Sequence, residues 1–388
     1  MFNLCKSLES LDLSNFNTLK VTLMDNMFNQ CLQLTSLDLS NFDTQKVTKM
    51  NNMFYYCTGL KTVDISNFNT QAVKDMFRYC TNLATIYVGE NFVTTNARYS
   101  DNMFDNCQLL KGALPEYNAN KTDHRFANYK TGYFSKLVGK NGEEKIGAAG
   151  EPLAAYNLAL DDDKDFVAYE PFAAKAASYS RTIKEGTTWA TLCLPFEVSL
   201  DGRFRAFKLL SADEAKNTIE LEEITTSIAA GTPVIIKMTN GATVLNFSEA
   251  NKAIAKEVQT SETADGNYQL QGLYTQKLFD KNADNNCYIV KGNKLMNPAK
   301  LMQNTNKETV GSKPFRAYMI DKSSAPAAGA KMFSIGFDND GTTAIDNLNT
   351  IANDNAIYYD LQGHRLNAPQ KGINIVKRGN KTMKVIIK

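Results

Sequence analysis

Residues Leu11–Cys31 read LDLSNFNTLKVTLMDNMFNQC, and residues Leu37–Cys57, 26 positions later, read LDLSNFDTQKVTKMNNMFYYC. The repeat continues at intervals of 26, 26, 23 and 27 residues, marked by Cys5, Cys31, Cys57, Cys80 and Cys107. Similar units that tolerate small insertions and deletions are typical of stacked coils, in which each coil buries its apolar side against its neighbours. The sequence therefore predicts a solenoid over residues 1–112.

Each unit contains one short alternating segment. Leu37 and Leu39 alternate with Asp38 and Ser40, which is the pattern of a strand with one buried face. Stacking at about 4.8 Å per strand would align these residues in two apolar columns. The columns are Leu11, Leu37, Val63 and Ile86, and then Leu13, Leu39, Ile65 and Val88. Residues 26–33 are expected to form a helical turn, so the predicted class of this region is an α/β solenoid.

The pattern LDLSNFDTxxVTxMxxMFxxC resembles the 26-residue repeat of the BspA-like leucine-rich repeat surface proteins of Bacteroidetes. The resemblance runs from Met1 to about Gly112. It implies an extracellular or cell-surface solenoid associated with adhesion to host proteins or to other cells. Because the chain opens inside a repeat, we expect it to be a fragment, and the absent signal peptide then says little about compartment.

Two further columns contain reactive side chains. Stacked cysteines have parallel Cβ vectors, which predicts a row of buried thiols rather than disulfides, and no C-x-x-C motif indicates a metal site. Asp12, Asp38 and Asp64 form the second column. One interpretation is a stripe for Ca²⁺ or a cationic ligand. The other, which we favour, is a scaffold role in which each carboxylate accepts hydrogen bonds from nearby Ser, Thr or backbone groups.

The two positions before each cysteine vary between units, so we expect them to be exposed. They bring together Tyr55, Tyr56, Arg78 and Tyr79 in two successive units. Tyr and Arg are the residue types that anchor protein interfaces. These four are the candidate ligand-binding residues; the alternative is an ordinary aromatic cluster on the surface.

After Gly112 the period ends. We assign residues 113–150 to a transition and 151–337 to a β-rich, sandwich-like domain, because strand patterns recur there between Gly-containing turns. Residues 248–258 are a weak helical candidate. Residues 338–355 resemble a linker, and 356–388 predict three strands. The β-rich region 151–337 and the tail 356–388 resemble modules of Bacteroidetes surface and secreted proteins, although His364 and Asn374 depart from the pattern of the C-terminal sorting signal.

Composition and the absence of known motifs argue against several classes of function. The 388 residues carry a net charge of +2 and no apolar run of transmembrane length, which favours neither a nucleic acid partner nor a membrane span. With two histidines and no G-x-S-x-G, Walker A or H-E-x-x-H motif, we predict no enzyme, no cofactor and no metal.

The predicted function is adhesion or binding by a monomer, with a host or bacterial surface protein or glycan as partner. The alternative is an accessory protein that binds glycan during polysaccharide capture. A third interpretation is a hydrolase with a carboxylate pair that sequence does not reveal.

Overall fold

The computed structural model of the chain forms two compact units, Met1–Ile335 and Gly336–Lys388. Over the residues that the structure describes, the fold is nearly all β, with a β-solenoid of about six turns and almost no helix. The linker predicted at 338–355 lies outside the described residues. Those are 1–69, 73–92, 100–213, 217–239, 241–323, 332–335, 357–360, 362–367, 370, 372–378 and 381–387.

Three short strands form the sheet of the solenoid. They are β1 (Ser36–Asp38), β2 (Thr62–Ile65) and β3 (Thr85–Val88), paired in parallel. The register aligns Leu37 with Val63 and Val63 with Ile86, and all three side chains are buried. The predicted apolar columns are therefore confirmed where these strands form.

The expected helical turns are tight turns instead. Asn26 and Gln30 have φ of 57° and 58°, and Asn52 and Tyr56 have φ of 54° and 60°. Left-handed residues four positions apart are incompatible with a right-handed helix. The backbone N–H groups point to the next coil, so that Gln30 N donates to Tyr55 O at 2.8 Å. The helical expectation was wrong for this reason.

The interior of the solenoid is a ladder of stacked phenylalanines. Successive ring centroids lie 5.6, 5.6, 5.4 and 6.1 Å apart along Phe2, Phe28, Phe54, Phe77 and Phe104. The rings of Phe134 and Tyr133 then meet Phe104 edge to face, at 5.8 and 5.3 Å. These two residues end the ladder, so the segment after Gly112 closes the core of the solenoid.

The cysteines form the predicted row of buried thiols beside this ladder. The Cys57 thiol donates to the Phe28 carbonyl at 3.0 Å, and the Cys107 thiol donates to the Phe77 carbonyl at 2.9 Å. All seven cysteines are free. Burial raises the pKa of Cys57 and of Cys107 to about 12, so both stay protonated at neutral pH.

The solenoid sheet continues without a break into the following segment. Strand β4 (Ser135–Asn141) pairs in parallel with β3, and β5 (Glu144–Ala148) pairs with β4 in antiparallel orientation. Strand β8 (Phe166–Ala168) also pairs with β4. Part of the region predicted as a transition is therefore an extension of the solenoid sheet.

The rest of the first unit is built on a four-stranded sheet and a ten-stranded sheet. The four-stranded sheet has β9 (Phe172–Thr182) at its centre, with β6 (Ala154–Ala155), β7 (Leu158–Leu160) and β16 (Val244–Ile254) beside it. The larger sheet has ten strands. In spatial order they are β10 (Trp189–Leu192), β15 (Val234–Met238), β12 (Phe204–Asp213), β13 (Thr218–Ile224), β24 (Met332–Ile335), β21 (Lys294–Met296), β20 (Cys287–Lys291), β23 (Ala317–Asp321), β18 (Tyr268–Gly272) and β17 (Thr260–Glu262).

Two small sheets and two short helical segments complete the described part of this unit. The sheets pair β11 (Val198–Ser199) with β14 (Ser227–Ile228), and β19 (Lys277–Asp280) with β22 (Thr309–Ser312). The helical segments are α1 (Pro298–Leu301) and a 3₁₀ turn at His124–Phe126.

The helix suggested at 248–258 is a second correction, since most of it lies in β16. This strand pairs antiparallel with β9 along nearly its whole length. Its alternating side chains Leu245 and Phe247 are buried, and Phe247 stacks on Tyr179 of β9 with centroids 6.4 Å apart. Cross-strand packing of this kind outweighs the high intrinsic helix propensity of the alanines and lysines.

The second unit is a small antiparallel sheet. Its described strands follow the order β26 (Arg365–Leu366), β25 (Ile357–Tyr359), β27 (Gly372–Arg378) and β28 (Lys381–Ile387). The sequence predicted three strands, and the fourth is the two-residue β26, which is too short to show an alternating pattern.

Candidate functional site

The four candidate residues lie in equivalent turns of two successive coils. Tyr55 and Tyr56 precede the buried Cys57, and Arg78 and Tyr79 precede the buried Cys80. The backbone joins the two turns, because Tyr56 N donates to Arg78 O at 2.9 Å. The stacking of the coils therefore fixes the distance between the two pairs of side chains.

The three tyrosine rings are in mutual contact. Tyr55 meets Tyr79 edge to face, with centroids 5.7 Å apart and an interplanar angle of 89°. Tyr56 lies 5.4 Å from Tyr79 and 6.0 Å from Tyr55. Tyr56 is 44% exposed, whereas the other two are half-buried. Contacts between aromatic edges and faces are favourable, so the cluster is ordered before any partner arrives.

Arg78 is held against this cluster. Its guanidinium carbon lies 4.9 Å from the centroid of the Tyr79 ring, and Nη2 donates to the Tyr79 hydroxyl at 3.3 Å. Nε donates to Asp105 Oδ2 at 3.2 Å, from the same column of the next coil. The cation is thus oriented by one ring and one carboxylate. We call Tyr55, Tyr56, Arg78 and Tyr79 the tyrosine cluster.

Two of these tyrosines occupy a costly backbone conformation. Tyr56 and Tyr79 have φ of 60° and 65°, in the left-handed region. The equivalent Leu4, Gln30 and Asn106 have φ of 64°, 58° and 62°, so the coil geometry imposes this conformation at every unit. Large L-residues pay about 1–2 kcal/mol for it, and Asn or Gly pays less. Stability alone does not account for tyrosine at this position.

The aspartate column has the hydrogen bonds that the scaffold interpretation predicts. The Oδ1 atoms of Asp12, Asp38 and Asp64 accept from the backbone N–H two residues later, each at 2.9 Å. In addition, Lys145 of β5 pairs with two of the three, with Nζ 2.8 Å from Asp38 Oδ2 and in contact with Asp64 Oδ2. An internal lysine therefore lies where the alternative interpretation placed a bound cation.

Sequence reasoning missed Lys145 and the role of Asp105. Lys145 lies 81 residues after Asp64, in a region without the repeat, so no pattern connects the two. Asp105 was detectable, since it occupies the same position before its cysteine as Arg78 does one coil earlier.

Within the described ranges, no group of three or more His, Cys, Asp or Glu residues could hold a metal ion. The same residues contain no helix with the length and hydropathy of a membrane span.

A family model described as "Mycoplasma protein of unknown function, DUF285" matches residues 1–117 and, in a second alignment, 64–132. No curated protein and no solved structure matches the chain. The matches together reach 132 of the 388 residues, which are the solenoid and the segment that closes it. The repeat region is therefore similar to a family whose description gives no activity.

Proposed function

We propose that this chain is a non-catalytic binding protein that contacts a partner protein through the tyrosine cluster. The observation that carries the proposal is the placement of Tyr56 and Tyr79 at left-handed positions, beside Tyr55 and Arg78, on a stacked backbone. Residues kept in an unfavourable conformation are concentrated at functional sites. Tyrosine and arginine are also the residues that contribute most to protein interfaces.

The geometry suits binding by a preformed surface. The rings are packed against one another and Arg78 is oriented by Asp105, so little side-chain entropy remains to be lost when a partner binds. Within the part of the chain that the structure describes, the Arg78 guanidinium donates from Nε and Nη2. Nη1 remains for a carbonyl or carboxylate of the partner, and the exposed Tyr56 supplies apolar contact area.

The wider setting is part of the same proposal. We place the protein at the cell surface or in the extracellular space, as a monomeric relative of the BspA-like proteins, and we assign sandwich-like packing to residues 151–337. The repeat pattern supports the kinship, and the kinship supports the location. Detection of the chain by antibody on intact source cells tests the location, and incubation with a panel of polysaccharides tests the absence of turnover.

Binding is tested with the whole chain against a panel of purified extracellular-matrix glycoproteins by surface plasmon resonance. The test variant changes Tyr55, Tyr56, Arg78 and Tyr79 to Ala. The control is Tyr169→Ala, because Tyr169 is similarly exposed, at 46%, and lies outside the solenoid. We expect binding of the control and loss of binding by the test variant. Binding that survives in the test variant would contradict the proposal.

A further inference from the structure

A groove of about 450 Å³ opens where the solenoid sheet continues into β4 and β5. Its lining includes Thr85 and Tyr87 of β3, Glu144 and Lys145 of β5, and Tyr156, which lies between β6 and β7. The tyrosine cluster does not line it. The volume falls within the range of small-ligand sites, roughly 300–1,000 Å³.

One wall of the groove is fixed by close packing. A Cβ atom at Gly147 would lie 2.9 Å from Tyr87 Cε1 and 2.8 Å from Ser135 Cβ, so only glycine allows the Tyr87 ring to lie there. The Tyr87 hydroxyl donates to the Lys145 carbonyl at 3.2 Å. The Lys145 ammonium is in turn held by Asp38 and Asp64. The wall is therefore rigid and presents polar atoms in fixed positions.

Tyr156 provides an exposed aromatic ring. Its side chain is 43% exposed, and Lys175 Nζ lies 3.9 Å from the ring centroid. Lys175 is not among the residues that line the groove, and its contact with the ring helps to hold Tyr156 in place. A partly exposed aromatic ring at the edge of a polar groove is a suitable surface for the apolar face of a sugar ring.

The charges of the groove nearly cancel. Lys111 and Glu144 line it, both exposed, and among the described residues neither has an ion pair. Lys145, the other lysine of the lining, is already paired with two carboxylates. A polyanion would find no excess of positive charge here. A neutral ligand with many hydroxyl groups would find a donor in Lys111 and an acceptor in Glu144.

We propose that this groove binds a neutral oligosaccharide. Tyr156 stacks against a sugar ring, the Glu144 carboxylate accepts from sugar hydroxyls, and the Lys111 ammonium donates to a hydroxyl or ring oxygen. This site is separate from the tyrosine cluster and does not depend on the function proposed for it.

The test is isothermal titration calorimetry of the whole chain with cellohexaose, mannohexaose, xylohexaose and maltohexaose. At least one should bind. Tyr156→Ala should then weaken that binding by about tenfold, the value expected for loss of one stacking contact. Tyr156→Phe should retain binding, because it keeps the ring. Tyr169→Ala is the control for an exposed tyrosine outside the groove, and thermal melting checks that each variant is folded.

Two results would overturn the proposal. One is the absence of binding by all four hexasaccharides at millimolar concentration. The other is binding that is equal in the wild type and in folded Tyr156→Ala, which would place the glycan elsewhere. Binding of a short peptide in the groove, lost in Tyr156→Ala while every hexasaccharide fails, would also contradict the proposal and would assign the groove to a protein ligand.

Discussion

Lys145 donates to Asp38, 107 residues earlier in the chain, with Nζ 2.8 Å from Oδ2. The same ammonium contacts Asp64, which is only 3% exposed. This contact links β5 to β1 and β2 of the same sheet and neutralises part of a column of carboxylates that would otherwise repel one another.

Replacing this lysine should destabilise the junction. Lys145→Met keeps much of the side-chain volume but leaves Asp64 buried without a counter-charge, so we expect the free energy of unfolding to fall by about 3 kcal/mol. Hydrogen exchange of the β2 and β5 amides measures the loss where it occurs. The matched control is Lys130→Met, since the Lys130–Glu151 pair is exposed on both sides and should contribute less than about 1 kcal/mol. Equal effects of the two substitutions would show that the contact has no special role.

The same contact predicts that the stability of the fold depends on pH. Burial by itself would raise the pKa of Asp38, but hydrogen bonds from Lys145 and Ser40 outweigh it, so this pKa is lowered. Burial by itself would lower the pKa of Lys145, but its hydrogen bonds to Asp38 and Asp64 outweigh burial, so this pKa is raised.

Because the pKa of Asp38 is lower in the folded protein than in the unfolded chain, the ionised carboxylate stabilises the fold. This stabilisation is complete above the pKa of the unfolded chain, about 4, and is lost as the pH falls through the pKa of the folded protein. The raised Lys145 pKa gives stability below about 10.4 that is lost as the pH rises through the folded value. The difference in stability between wild type and Lys145→Met should therefore be largest from about pH 4 to 10. Urea unfolding from about pH 2 to about pH 11 checks it, and a constant difference down to about pH 2 would contradict it.

The thiol row predicts strongly unequal cysteine reactivity. The thiolate is the reactive form, and burial raises the pKa of Cys57 and Cys107 to about 12. In the native protein, iodoacetamide at pH 8 should modify the half-buried Cys5 first and leave the six buried cysteines unmodified. Mass spectrometry of the digested protein identifies the sites, and urea should make all seven react. Native modification of Cys57 as fast as Cys5 would show that the coils open readily.

How much the sequence predicts depends on how local the constraint is. The columns of Leu37, Val63 and Ile86, the thiol row and the meeting of Tyr56 with Tyr79 all follow from the period, because each coil repeats the geometry of the last. The helical turn was wrong because Met27, Phe28 and Cys31 share a face in a tight turn as they would in a helix. Left-handed φ at Asn26 and Gln30 distinguishes the two, and only the structure gives these angles.

The features that the sequence could not predict are contacts made by residues outside the repeat, either with the solenoid or with one another. The Lys145–Asp38 contact and the groove beside Tyr156 depend on how residues 135–160 pack against the solenoid, and no spacing in the chain encodes that arrangement. The 11-residue strand β16 is similar, because its partner β9 lies more than 60 residues away and sets its conformation.

The left-handed conformation of Tyr56 predicts that replacing this tyrosine costs less stability than replacing its neighbour Tyr55. Tyr56→Asn relieves a backbone cost of about 1–2 kcal/mol and loses two ring contacts of about 0.5–1.5 kcal/mol each, so the two effects on the free energy of unfolding should nearly cancel. Tyr55 also has two ring contacts but is not in the left-handed region, so Tyr55→Asn should destabilise the fold by about 1–3 kcal/mol. Thermal melting of the two variants checks this difference, and equal destabilisation by both would show that Tyr56 is there for packing.

The most direct measurement is the affinity of Tyr56→Asn for the matrix glycoprotein that the wild type binds most tightly, by surface plasmon resonance of the whole chain. This variant is expected to be about as stable as the wild type, and thermal melting shows whether it is folded, so lost binding can be separated from unfolding. We predict affinity at least about tenfold weaker, as for loss of an interface anchor, with Tyr169→Ala unchanged. Wild-type affinity in folded Tyr56→Asn would contradict the claim that the tyrosine cluster is the binding surface.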